Sequence, residues 1–286
     1  MQKEVFRSRI NFDNKLYRGR IAYDNLAGLH NQIIQANDID INLDITTASR
    51  FGRTFLFLIP CLNYLANEHG KNIDIAVSKT IHENLGKLAF INSQLNLGSG
   101  DEMRFERLEN DEKTLNLVKR IVEDMPVEMS PRLHEDMVSK IGEMFNNAHE
   151  HSNAKHVLGG RYPNRKRFCF VCYDTGVGIP EKIRSSKQLS KEELTDDRAL
   201  DWALQRFNST APELGPRGLG LDHLREFSRL NRGVIRICTG NTLYTYDCSI
   251  EPIKESFQAV KNIFCGTLFE MDINADRRYY QYKGEV

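Results

Sequence analysis

The feature that most constrains this chain is a strand pattern that runs without a break into a glycine turn and then a helix start. It reads Arg167-Phe168-Cys169-Phe170-Val171-Cys172-Tyr173, followed by Asp174-Thr175-Gly176-Val177-Gly178-Ile179-Pro180. An ionised carboxylate at a strand end is an acceptor only, so it selects a partner that donates. Gly176 and Gly178 admit positive φ and a close approach of the backbone to a ligand. A D-x-G-x-G string alone also marks ordinary tight turns, so its meaning depends on its surroundings.

Those surroundings carry chemistry. Upstream, Ser130 and Pro131 form a helix start, an N-cap hydroxyl followed by proline at the first helical position. Leu133, Met137, Ile141, Met144 and Ala148 recur at helical spacing, and Val138 and Phe145 widen the stripe, so this helix docks on a core. Glu143 and Asn147 lie one turn apart on a face well away from the stripe. A carboxamide oxygen is a suitable Mg²⁺ ligand, and a nearby carboxylate polarises a water or hydroxyl for attack on phosphorus; the plain alternative is a solvated helix face. Downstream, Gly215-Pro216-Arg217-Gly218-Leu219-Gly220-Leu221 opens an amphipathic helix running from Leu219 to Leu230. The N–H groups of such a turn, with the positive end of the helix dipole, cradle phosphate. Gly266-Thr267 opens the last strand pattern, and the Thr267 hydroxyl reaches toward a pocket formed by the earlier elements. Asp174 accepts from an exocyclic amine such as adenine's, which guanine does not offer at that position.

In order and spacing these segments resemble the N, G1, G2 and G3 boxes of the GHKL superfamily of ATP-binding domains. That superfamily includes the gyrase, chaperone, mismatch-repair and histidine-kinase ATPases and the anti-sigma-factor kinases. The resemblance implies an α+β fold, a two-layer GHKL (Bergerat) sandwich over residues 116–275, with ATP and Mg²⁺ as cofactors. It implies Glu143 as general base, Asn147 on Mg²⁺ and His151 on the same helix face. It places Asp174 on adenine with Gly176, Gly178 and Ile179 beside the base. It sets Arg217, Gly218, Leu219, Gly220 and Leu221 against the phosphates, adds Thr267, and makes residues 180–217 a mobile lid. Two departures stand out: Pro216 replaces a family glycine, and Glu150 replaces the basic residue of histidine kinases, which is more like the anti-sigma-kinase branch. His149 does not share the face of Asn147, and a zinc reading of His149 with His151 fails because positions two apart on a helix diverge.

Composition bounds the partners. Lys plus Arg and Asp plus Glu total 39 each, so no global field draws the chain to nucleic acid or to an anionic membrane. The longest apolar run, near Phe55 to Pro60, falls well short of the roughly 20 residues that span a bilayer, and no membrane association is expected. The charged start, MQKEVFRSRINFDNK, does not read as a signal peptide, so a cytoplasmic location is expected. The six cysteines are irregularly spaced and read as reduced core thiols. Cys169 and Cys172 have CxxC spacing, but on a strand residues three apart point to opposite faces.

The first hundred residues alternate strand patterns (Leu16 to Ala22, Ile39 to Asp44, Asn72 to Val77) with helical ones (Phe51 to Glu68, Ile81 to Phe90), which implies a small α/β domain over 1–100. Its order resembles the STAS fold of anti-anti-sigma factors. Arg50 and Phe51 stand where that family carries a phosphorylatable serine and its neighbour, and Ser49 is out of register. A polar stretch reads as a linker over 101–115, and residues 276–286 as a tail. The expected C-terminal elements are a hairpin of Ala154 to Gly160 with Arg167 to Tyr173, a helix from Asp196 to Phe207, and three strands (Gly233 to Thr239, Leu243 to Ser249, Gly266 to Ile273). The expected function is a slow ATPase or nucleotide-gated switch. The alternatives are a serine/threonine kinase of the anti-sigma type acting on a protein partner, and a binding module without turnover. GHKL domains often form homodimers.

Overall fold

The computed structural model describes residues 8–11, 20–46, 55, 58, 61–77, 104–108, 110–163, 166–205 and 220–285. The chain divides into two compact units, one of residues 1–105 with 260–265, the other of residues 106–259 with 266–286. Both mix helix and strand.

In the first unit the strands β1 (Ser8–Asn11), β2 (Asp40–Ile45) and β3 (Asn72–Val77) form a parallel sheet in that order. Parallel neighbours cannot be joined by a tight turn, so helices occupy the crossovers. These are α1 (Arg20–Gln35) and α2 (Cys61–Glu68). The stretch read as a strand from Leu16 to Ala22 is a correction: Arg20, Ile21 and Ala22 begin α1. The reason lies further along, where Tyr23, Leu26, Ala27, His30 and Ile33 recur at helical spacing and are all buried. The expected helix from Ile81 to Phe90 lies outside the described residues.

The second unit is α+β. Its sheet has the order β4 (Arg104–Leu108), β6 (Val157–Pro163), β7 (Arg167–Asp174), β9 (Lys254–Asn274), β8 (Val234–Asp247). The β6–β7 and β7–β9 pairs are antiparallel. On one face Phe168, Phe170, Cys172, Ile235, Ile237, Phe269 and Met271 pack against α3 (Asp111–Glu123), α4 (Pro131–His151) and α7 (Gly220–Asn231). Ser130 caps α4 as its sequence predicts, with its hydroxyl accepting the Leu133 N–H at 3.2 Å.

Three further expectations are corrected. The polar stretch read as a linker forms β4 and the start of α3, because its charges occupy a cap and an exposed face. Asn110 accepts the Lys113 N–H, Asp111 and Glu112 sit in the first turn, and Leu117, Val118, Ile121 and Val122 are buried. The tail contributes β10 (Tyr279–Tyr280), which pairs in parallel with β5 (Glu128–Met129), and Glu285 accepts the Ser130 hydroxyl at 2.6 Å. The three C-terminal strand patterns are two long strands, since Gly240 (φ 55) and Gly266 (φ 76) bend β8 and β9 from within instead of ending them.

Inside the first unit His30 is fully buried, its ring 5.2 Å from that of Phe264. Burial lowers its pKa to about 3. The unfolded chain, with an ordinary value near 6.5, therefore binds the extra proton as pH falls below ~6.5. We expect stability to drop by about 1.4 kcal/mol per pH unit from this residue between pH ~6 and 4. Urea unfolding at several pH values checks this, with His30→Leu removing one proton from the slope.

Candidate functional site

Asp174 ends β7, buried at 4 % exposure. Two-residue alternation puts its side chain on the same face as Phe170 and Cys172, the helix-covered face. Thr267 on β9 is its direct cross-strand partner and therefore shares that face. The carboxylate Oδ1 accepts the Gly176 N–H at 2.9 Å.

The glycine turn is fixed by close backbone approach. The Thr175 N–H donates to His156 O (3.2 Å), and the Val177 N–H to Ser152 O (2.9 Å), which joins the turn to the residue following α4. A Cβ on Gly176 would lie 2.1 Å from Ser152 O. Gly176 is thus required by packing against the end of α4, and it does not adopt positive φ. Gly178 does, at φ 82, and its missing Cβ makes room for the Thr239 hydroxyl, which a Cβ would approach to 2.8 Å. From the sequence, ligand approach is the expected role of both glycines. The structure shows that the absence of each Cβ serves contacts within the protein.

Thr239, fully buried, was not singled out in the sequence. Its hydroxyl accepts the Ile179 N–H (3.1 Å), donates to Gly266 O (3.1 Å) and lies 3.3 Å from the Thr267 hydroxyl. The signal that could have marked it is Gly240 between two closely spaced strand patterns, because glycine within a continuous strand signals a bend or close approach. Gly266 meets β7 even more closely, since a Cβ there would fall 1.8 Å from Asp174 O.

On α4 the side chains Leu133, Met137, Ile141, Phe145 and Ala148 are buried, while Glu143 is half-buried and Asn147 exposed. Asn147 makes no side-chain hydrogen bond to another described residue, which leaves its carboxamide oxygen available to a cation. The Glu143 carboxylate has the Lys140 ammonium 3.6 Å away, both partly exposed. Such a contact contributes less than about 1 kcal/mol. His149 turns elsewhere, with Nε2 3.4 Å from the Thr114 hydroxyl, and burial holds its pKa below the ordinary value.

Other expected positions separate. Ile179 and Leu221 are partly buried against the hydrophobic core, and Gly220 begins α7. Arg217, Gly218, Leu219 and the side chain of His151 lie outside the described residues. The segment expected to be a mobile lid is described over its first part. Residues 179–205 hold two helices, α5 (Ile179–Lys187) and α6 (Asp196–Leu204), tied by an ion pair of Arg184 and Asp196 at 2.6 Å with both side chains buried. The helix expected to reach Phe207 stops at Leu204.

The CxxC cysteines part as the strand alternation predicts. Cys172 joins the helix-side core, whereas Cys169 lies near Glu270 and Asp272, with their ligand atoms within 4.8 Å of one another. The Arg236 guanidinium already bonds Glu270 (2.6 Å) and Asp272 (2.9 Å), and burial pushes the Cys169 thiol pKa up, away from the thiolate a metal requires. This cluster is an ion pair with a resident cation. No helix among the described residues is long and apolar enough to cross a membrane. No protein-family model matches the sequence, and no curated protein matches it.

Two glycines give opposite expectations. A Cβ on Gly142, inside α4, meets nothing within 4 Å, so Gly142→Ala should stabilise by about 0.5–1 kcal/mol. Gly176→Ala drives a Cβ into the Ser152 carbonyl and should cost at least about 2 kcal/mol. Urea unfolding of the two variants measures both.

Proposed function

We propose that the second unit is a GHKL-type Mg-ATP-binding domain that acts as a slow ATPase or nucleotide-gated switch in the cytoplasm, with a protein partner reading its state. The observation that carries the proposal is the buried Asp174 carboxylate at the end of β7, anchored by the Gly176 N–H and directly across from Thr267. Asp174 receives the adenine amine, and its acceptor-only chemistry discriminates against guanine. The order of elements supports the two-layer sandwich. For the first unit, the order β1, α1, β2, α2, β3 supports a STAS-like reading.

The residues present fit a magnesium nucleotide. Asn147 is exposed, unengaged by described side chains and one turn from Glu143, a donor set suited to a cation that keeps most of its waters. Mg²⁺, when bound, supplies charge neutralisation of the triphosphate. Asn147 would hold it, and the N-terminus of α7, beginning at Gly220, carries the positive end of a helix dipole suited to phosphate oxygens. Glu143 takes a proton from the attacking water, and the weak contact with Lys140 leaves its carboxylate able to do so. The serine/threonine kinase and the module without turnover use the same pocket, with Glu143 acting on a protein hydroxyl or on nothing.

Calorimetry with ATP and Mg²⁺ tests binding. Asp174→Asn should weaken ATP by about tenfold or more while the fold persists, because the amide keeps an acceptor for Gly176 and loses the charge. Absence of heat with the wild type would refute the reading. Glu143→Ala should retain affinity and lose phosphate release. Labelled ATP with cell lysate separates free phosphate, a labelled partner, and neither.

A further inference from the structure

We propose that Arg184 and Asp196 are positioning residues, a buried clasp that sets the Gly178 end of the candidate nucleotide site; this rests on the nucleotide reading for its consequence but not for its geometry. Arg184 uses its fork in three directions. Nη1 donates to Asp196 Oδ1 (2.6 Å) and Leu194 O (3.2 Å), and Nε and Nη2 donate to Glu181 Oε2 (3.3 and 3.0 Å). One guanidinium thereby joins α5, the turn after it and the start of α6.

Asp196 passes the constraint to the sheet. Its second oxygen, Oδ2, accepts the Asn241 N–H at 2.6 Å, and a Cβ on Gly240 would fall 2.4 Å from that oxygen. Gly240 takes φ 55 beside it, so the bend in β8 and the carboxylate occupy one space. The preceding residue, Thr239, accepts the Ile179 N–H and fills the place of the missing Gly178 Cβ. The path from Arg184 to Gly178 therefore runs Asp196, Asn241 and Gly240, Thr239, with a hydrogen bond, a covalent link or an approach that leaves no room for a Cβ at each step. Lys191 reinforces it at the surface by donating to Asn241 Oδ1 at 2.7 Å.

A solvated ion pair would leave α5 free to shift, but these two side chains are only 8 % and 5 % exposed. Neither charge is well solvated alone, so the pair stays closed unless the helices separate. The clasp holds Gly178, at the start of α5, in one position relative to Asp174 and Thr267, and a base seated there meets a preformed wall.

Removing one charge endangers folding, so the test uses Arg184→Met with Asp196→Leu, apolar replacements of similar volume that preserve a packed interior. Amide exchange of the full chain is read at Ile179, whose acceptor Thr239 is untouched by the substitutions, with Phe170 and Met271 in the central strands as internal reference. The clasp predicts exchange about a hundredfold faster at Ile179, unchanged protection at the reference amides, and Mg-ATP affinity by calorimetry lower by about tenfold or more. Arg184→Lys, which keeps the cation without the fork, should recover part of both effects. Wild-type protection at Ile179 in the double variant would overturn the clasp, and so would faster exchange there with unchanged ATP affinity. Failure of the wild type to bind Mg-ATP would sink the nucleotide reading, while the exchange result would still decide the clasp.

Discussion

The second unit depends on three places where the backbone comes closer than any side chain allows. Ser152 O meets Gly176, Asp174 O meets Gly266, and the Thr239 hydroxyl meets Gly178. Each contact ties a different element to the end of β7: the first the residue after α4, the second β9, the third β8. The carboxylate of Asp174 is therefore held by the positions of four elements at once. Because a Cβ at any of these sites would overlap an oxygen, the junction is specified sterically, and its hydrogen bonds then fix direction.

Two buried charge clusters lean on this framework. Asp196 lies against the bend at Gly240, where a backbone N–H and a guanidinium meet its two oxygens. On the opposite face of the sheet Arg236 bridges Glu270 and Asp272. Breaking either arrangement from one side leaves an uncompensated charge, which costs several kcal/mol, whereas solvent screens the exposed Arg229–Glu226 pair. Buried pairs of this kind add position more than stability: Arg184 and Asp196 tie α5 to α6, and Arg236 ties β8 to β9.

The first unit is built differently. Its parallel strands are hydrophobic in alternation, as in the burial of Ile41, Leu43 and Ile45 on β2, and its helices supply the cover. It also includes Val260–Cys265 from β9. Asp24 on α1 receives the N–H groups of Lys261 (2.7 Å) and Asn262 (2.9 Å), and Asn262 returns a bond to Asp24 O (3.2 Å). This strand segment, remote in sequence, completes a unit whose other residues precede residue 106.

Local chemistry written in the sequence determined much of this protein. Ser130-Pro131 dictates the start of α4, the spacing of Leu133, Met137 and Ile141 dictates its buried face, and Asn72 to Val77 reads as the strand it forms. The turn of Asp174 to Gly178 follows from glycine at the end of an apolar strand. Charged stretches misled, because an amphipathic helix such as α3 and a linker share a composition, and only burial of Leu117 and Ile121 separates them. The glycines at 240 and 266 read as strand ends, since a one-dimensional pattern does not distinguish a stop from a bend. What the tertiary structure alone decided was which oxygen each missing Cβ makes room for, that Thr239 is the hub, and that Arg184 finds Asp196. Those pairings join residues far apart in the chain, and the steric and electrostatic terms that select them exist only once the strands and helices are packed.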